Sequence, residues 1–252
     1  MSLLVLTPED YRVLDQDDFG VPGLVAHEII GPFVPLRSLG PLIMVHDGVF
    51  EPHHGIGHHP HRFNERLFYI LEGAVDHDDA LNGITGHMGT GDLGRLTEGM
   101  RGMLHKEWNN TDGRARAFIL VYGTDPTPPQ ASFEALRDAD APRYEERAGV
   151  ITKELVGPSA PLPINGDVRV FADSRFDAGG ELSVDLERKE GGLLFTVEGA
   201  FEVWNENRES IPVGHAAVLP PSDTGRSFRV RSEGGGRVLR VVLGPGRGMP
   251  LS

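Results

Sequence analysis

The chain has no cysteine in its 252 residues. Disulfides, thiolate metal sites and cysteine nucleophiles are therefore excluded, and any metal must be held by nitrogen and oxygen. Aromatic residues are sparse at 7%, with Trp 2 and Tyr 4. Basic residues are in deficit: Lys+Arg 24 against Asp+Glu 37 leave a formal net charge of -13. No basic run of any length occurs, which disfavours direct contact with nucleic acid. No stretch approaches the roughly 18 apolar residues of a membrane-spanning helix. The beginning, "MSLLVLTPEDYRVLD", has a short apolar run and then acids, without a basic leader or a long apolar centre, so it does not read as a signal peptide. The simplest expectation is a cytoplasmic protein without membrane contact.

What is plentiful is glycine and proline, at Gly 33 and Pro 19. They favour many turns and short strands. Short apolar or alternating runs recur between them, among them "PLIMVHDGVF" (41–50), "ERLFYILEG" (65–73), "RARAFILVYG" (114–123), "GLLFTVEGAFEVW" (192–204) and "GRVLRVVLG" (236–244). Such spacing predicts an all-β sandwich or barrel. One stretch reads differently. Within 127–149, Ser132 could cap a short helix over 133–139, giving a connector between two β units.

The two halves resemble each other. "LFYILEGAVDH" (67–77) matches "LLFTVEGAFEV" (193–203), with Gly73 and Gly199 offset by 126 residues, and Gly91 and Gly214 pair more weakly at an offset of 123. An internal duplication of a β-barrel follows. The expected boundaries are a first barrel over 1–125, a connector over 126–149 and a second barrel over 150–252. "GTGDLG" (89–94) fits a dinucleotide fingerprint, but the glycine-rich sequence after it has no helical period, so it reads as a β-turn. "DHDD" (76–79) does not fit a calcium loop and reads as a solvated acidic hairpin.

Five of the 11 histidines fall within nine positions: His53, His54, His58, His59 and His61. In a strand, residues i and i+2 share a face, so His59 and His61 point the same way and His58 does not. Farther on, "LHKEW" places His105 and Glu107 in the same relation. Two strands facing across a small barrel would bring these four side chains together. Three imidazoles and a carboxylate suit Fe(II), Mn(II), Ni(II), Cu(II) or Zn(II), and four protein ligands on an octahedral ion leave open positions for water, O2 or substrate. Glu65 has the same parity as His59 and His61, so an unbroken strand would aim it at the same site. Spacing leaves five candidates for four places.

At this point the residues resemble a family. His-Pro-His-Arg (59–62), Tyr-x-Leu-Glu-Gly (69–73), the Asp-x-Leu-Asn-Gly turn (79–83), Gly-Asp (91–92) and Leu-His-x-Glu (104–107) resemble the amino-terminal domain of pirins, within the cupin superfamily. "APRYEE" (141–146) resembles the pirin segment between domains. The resemblance implies two face-to-face cupin (double-stranded β-helix) barrels joined by a short helical connector, with one metal, usually iron, in the first. It carries the ligands over as His59, His61, His105 and Glu107, whereas an ordinary cupin site would use Glu65. The sequence departs from the pattern after Arg62, where pirins usually have Gly-Phe-Glu and this chain has Phe63-Asn64-Glu65.

The second half lacks the site. At the two offsets, His59 and His61 fall on Asp185 and Glu187, and His105 and Glu107 fall on Phe228 and Val230, a poor set for a transition metal.

The resemblance also implies activity. Pirin-like proteins are associated with quercetin 2,3-dioxygenase activity, which would make this a metal-dependent oxidoreductase acting on a flavonol and O2. Glu107 would be the catalytic proton acceptor for the flavonol hydroxyl. Pirins are also associated with regulation, in which the iron state alters the surface shown to a protein partner. A cavity reaching the metal would favour catalysis, and a plugged site would favour sensing.

Overall fold

The computed structural model describes residues 3–246. The regular secondary structure is almost entirely β-strand, and the chain divides into two compact units. One comprises Tyr11–Asp140 with the crossing segment Ile164–Gly166. The other comprises Ala141–Pro163 and Asp167–Gly246, with the chain up to Asp10. Among the described residues, no helix is long and apolar enough to cross a membrane.

The first unit stacks two antiparallel sheets. The seven-stranded sheet runs in the order Ser132–Leu136, Leu93–Thr97, Asn64–Glu72, Ala115–Gly123, Leu42–Phe50, Leu24–Ile30 and Arg12–Leu14. The four-stranded sheet runs Gly55–His61, Met103–Trp108, Ala74–Asp79 and Ile84–Gly89. Period-two alternation aims Phe68, Ile70, Ala117 and Ile119 from the first sheet at Val75, Met88 and Met103 from the second, and these side chains form one apolar core. Each such buried aliphatic or aromatic side chain contributes about 1.5–3 kcal/mol.

The second unit is built on Gly191–Trp204, a 14-residue strand long enough to pair at its start with Ala216–Leu219 and Gly236–Leu243 and at its end with Arg208–Pro212 and Arg226–Arg231. Its core includes Leu186, Phe201, Phe228 and Val230. Val184 lies opposite Phe228 and Leu182 opposite Val230. The inward positions that correspond to the first unit's histidines are thus apolar. The residues facing inward are Val184 and Leu186, whereas Asp185 and Glu187 are exposed. The approximate offset was one residue out, and the second unit lacks donors there all the same.

The duplication is visible in backbone conformation. Gly73 and Gly199 follow matching glutamates and both adopt left-handed φ, 72° and 77°. A Cβ at either would run into a facing backbone carbonyl, of Arg114 and Gly235 respectively. Gly199→Ala is therefore expected to cost about 1–2 kcal/mol from conformation alone, with more from the clash. Its measure is a lower urea midpoint, with the metal content of the first unit unchanged.

Two expectations are corrected. The stretch expected as a helix over 133–139 is a strand, Ser132–Leu136, which extends the sheet by pairing with Leu93–Thr97. The apolar side chain of Phe133 stacks on a buried histidine, and that packing overrides the local cap signal. Within the expected connector the helical structure is a single 3-10 turn, Asp138–Asp140, and the first unit runs from Tyr11 to Asp140 with the second taking up the chain at Ala141. The "GTGDLG" stretch is a turn with Gly91 at φ 85°, entering the Leu93–Thr97 strand.

Candidate metal centre

His59 and His61 sit on the Gly55–His61 strand, and His105 and Glu107 on the neighbouring Met103–Trp108 strand. The two are adjacent in one sheet rather than facing each other across the barrel. His105 pairs with His59, but Glu107 pairs with Ile56, so the first strand carries one extra residue between these points. This β-bulge lets Ile56, His59 and His61 all face the cavity although their parities differ. Gly55 allows the close approach: a Cβ there would strike the Glu107 carbonyl.

The three histidine rings converge. The centroids of His59 and His105 are 4.4 Å apart, those of His59 and His61 4.8 Å, and those of His61 and His105 5.1 Å. His105 is fully buried at 0% exposure. Its Nδ1 lies 2.6 Å from Glu107 Oε1, and its Nε2 is buried without a hydrogen-bond partner. Two overlapping groups share it, His59–His61–His105 and His77–His105–Glu107, with donor atoms within 4.8 Å of one another in each.

His77 was missed by sequence reasoning. It lies on Ala74–Asp79, opposite Glu107. Its Nδ1 is 3.0 Å from Glu107 Oε1, and its ring stacks on Phe133 at 5.3 Å. The reading of 76–79 as a solvated hairpin is corrected. The strand alternates, burying His77 and Asp79 while Asp76 and Asp78 face outward. Strict alternation with His77 and Asp79 in phase was the signal available. Asp79 ties the adjoining turn, accepting from Leu81 N and Asn82 Nδ2, and also from Leu104 N.

The electrostatics keep the donors available. Burial, reinforced by His105, lowers His59 to about 4. Burial and then the Arg66 guanidinium push His61 far below the usual imidazole range. Both rings are neutral at pH 7. His59 Nδ1 lies 2.8 Å from the Gly57 carbonyl, which only accepts, so Nδ1 carries the proton and Nε2 keeps a lone pair. Burial alone would raise Glu107, but His105 and then His77 outweigh it and hold this carboxyl well below the usual range. Neutral imidazoles beside an ionised carboxylate, with an unpartnered buried nitrogen, form a donor set that fits a divalent transition ion.

The remaining candidates lie elsewhere. His58 points outward to Asp78 at 3.2 Å, and His53 is exposed beside Asp112. His54 bonds the Pro52 carbonyl at the loop. Glu65 is not at the cluster. Phe63, at φ 80°, breaks the strand between 61 and 64, so the next strand begins in the other sheet and the parity argument lapses. Left-handed φ is the natural place for glycine, which is the residue the family pattern has at this position. After the break, Arg66 and Phe68 face the cavity. Glu65 is instead saturated by Tyr122 Oη at 2.7 Å, Thr97 Oγ1 at 2.5 Å, and Asn165 N and Nδ2 at 2.8 and 2.6 Å.

A cavity of about 270 Å³ opens onto the cluster. Its walls are mainly apolar, including Phe19, Met44, Ile56, Phe68 and Ile119, and they carry His59, His61, Glu107 and Arg66. The Arg66 Nε bonds Glu98 at 2.7 Å, while its Nη2 is buried without a hydrogen-bond partner.

Fold and cluster together define a two-barrel protein of the cupin class with a cluster of histidines and a glutamate in the first unit. Residues 18–121 match the Pirin family. Pirin-like protein 2 of Arabidopsis thaliana is 26% identical over 219 residues, 82% of this chain and 65% of that protein, so the chain spans just under two-thirds of this relative's length. A Pseudomonas aeruginosa protein provisionally named a quercetin 2,3-dioxygenase is 28% identical over 75% of this chain and 70% of its own. Among solved structures, the Escherichia coli bacterial pirin YhhW in complex with nickel(II) superposes with a TM-score of 0.78 at 17% identity, covering 96% of this chain and 99% of that one. Quercetin 2,3-dioxygenase from Acinetobacter baumannii superposes with a TM-score of 0.79 at 19% identity, covering 97% and 86%. Residues 18–121 are thus similar to the pirins in sequence, and the chain as a whole shares the pirin fold.

Proposed function

We propose that this chain is a metal-dependent oxidoreductase of the quercetin 2,3-dioxygenase type, holding one divalent ion, Fe(II) in the first instance, through His59, His61, His105 and Glu107. The observation that supports the reading is the cavity, which connects an apolar interior to His59, His61 and Glu107 rather than leaving the cluster plugged. Its volume is near the lower end, about 300 Å³, of typical small-molecule sites, as a compact flat ligand requires. The names of the Pseudomonas relative and the Acinetobacter structure agree with this class, and the nickel(II) of the E. coli pirin agrees with a nitrogen and oxygen donor set.

When bound, the ion supplies a Lewis acid that lowers the pKa of a ligand hydroxyl, and a centre for dioxygen chemistry. The protein supplies the rest. His59 and His61 hold their lone pairs ready because burial keeps them neutral, and His105 offers a buried Nε2 without a hydrogen-bond partner. Glu107, ionised and oriented by His77, accepts the hydroxyl proton at a carboxylate oxygen. Arg66 presents a free N–H to anionic oxygen developing on the ligand. The apolar walls exclude water and strengthen both contacts.

The test is loss of quercetin absorbance under O2 with Fe(II)-loaded protein, abolished by chelation. No turnover with Fe, Mn, Ni, Cu or Zn at confirmed occupancy would overturn the proposal and favour a metal-dependent binding role.

A further inference from the structure

The wall of the cavity opposite the histidines carries a second polar pair. Glu28 and His46 face each other on paired strands of the seven-stranded sheet, and both line the cavity. Glu28 Oε1 is 3.7 Å from His46 Nε2, too long for a hydrogen bond, and both atoms are buried without partners. A charged group buried in an apolar wall with one oxygen unused is costly unless something engages it.

The duplication provides an internal control. "HEIIG" (27–31) recurs as "KELVG" (153–157), placing Glu28 against Glu154 and Gly31 against Gly157. Each glycine leaves room for its carboxylate, because a Cβ would collide with it. Each carboxylate also ties the following loop: Glu28 Oε2 accepts from Phe33 N at 3.0 Å, and Glu154 Oε1 accepts from Ser159 N at 2.6 Å and Ala160 N at 3.1 Å. The second oxygen differs. In the second unit, Tyr144 Oη donates to Glu154 Oε2 at 3.3 Å. In the first, Glu28 lines the cavity and its Oε1 has no hydrogen-bond partner, with His46 Nε2 beside it at 3.7 Å. Loop bracing explains one oxygen of Glu28 and not the other.

We propose that Glu28 Oε1, flanked by His46, is a specificity contact that accepts a hydrogen bond from a hydroxyl on the ligand, remote from the oxygens that meet the metal centre. The substrate class is then a flat apolar body with a hydrogen-bond donor on the side away from its chelating group: a polyhydroxylated flavonol rather than a bare one. The inference rests on reading the cavity as the substrate site.

The experiment compares quercetin with 3-hydroxyflavone, which keeps the chelating group but lacks the remote hydroxyls. Binding to metal-loaded protein is measured anaerobically, and turnover separately. Wild type should prefer quercetin. Glu28→Gln, which keeps an acceptor for Phe33 N, and His46→Leu should weaken quercetin binding by roughly tenfold to a hundredfold, the usual range for a charge-assisted hydrogen bond. Binding of 3-hydroxyflavone should stay within about twofold, with metal content and melting temperature unchanged. Glu154→Gln is the control and should alter neither ligand. Equal losses for both flavonols, or none for quercetin, would overturn the proposal, as would wild type binding neither. Glu28-dependent quercetin binding without turnover would remove the dioxygenase assignment and leave this contact standing.

Discussion

Replacing His105 with alanine is expected to strip the first unit of its metal. His105 is the residue common to both donor groups, it is fully buried, and its Nε2 has no protein partner. Partners that merely orient a ligand are worth about 10–100-fold in metal affinity. A ligand at the centre of the cluster should exceed that, so His105→Ala should retain less than about a tenth of the wild-type metal after dialysis, by elemental analysis. Glu107→Ala should weaken binding too, because it removes a carboxylate beside His105 and leaves His77 Nδ1 unpaired in the interior. His58→Ala is the comparison. That ring faces Asp78 on the outer surface, so metal content should not change. If His58→Ala empties the site and His105→Ala does not, the cluster is misassigned.

Glu65→Ala is expected to destabilise the first unit severely and to spare the metal. The carboxylate sits at 0% exposure and receives four hydrogen bonds, with Arg95 Nε at 3.8 Å. Burial, and then the Glu65 charge, raise Tyr122 well above its ordinary value, keeping its hydroxyl protonated as a donor. Truncation leaves these donors facing an apolar gap, and losing one member of a buried charged network costs about 3–5 kcal/mol. The urea midpoint should fall accordingly, while the folded fraction keeps full metal occupancy. Loss of metal with unchanged stability would reverse the roles of Glu65 and Glu107.

The contrast between these two glutamates marks how far linear spacing reaches. The i, i+2 rule selects His59 and His61 over His58, and pairs His105 with Glu107, because side-chain direction within one strand is a local property. It fails between His61 and Glu65, because Phe63 takes a left-handed conformation there and the chain leaves one sheet for the other. Nothing in a count of residues reveals that turn, although the family's glycine at the same place hints at it. It also hides the bulge between Ile56 and His59, which brings both into one wall.

The composition and periodicity of the chain determined an all-β protein, a duplication, and a nitrogen and oxygen donor set in the first half with five candidates, among which the family resemblance chose His59, His61, His105 and Glu107. The first three follow from short-range rules: absent thiols, period-two alternation and repeated Glu-Gly turns. The tertiary structure alone decided that His77 stands behind Glu107, that Glu65 braces Asn165 instead of facing the cluster, and that Glu28 lines the cavity with one oxygen lacking a hydrogen-bond partner. The physical reason is common to all three. Whether a buried polar group is a brace or a binding group depends on which donors surround it, and those donors come from strands and loops as much as 100 positions away.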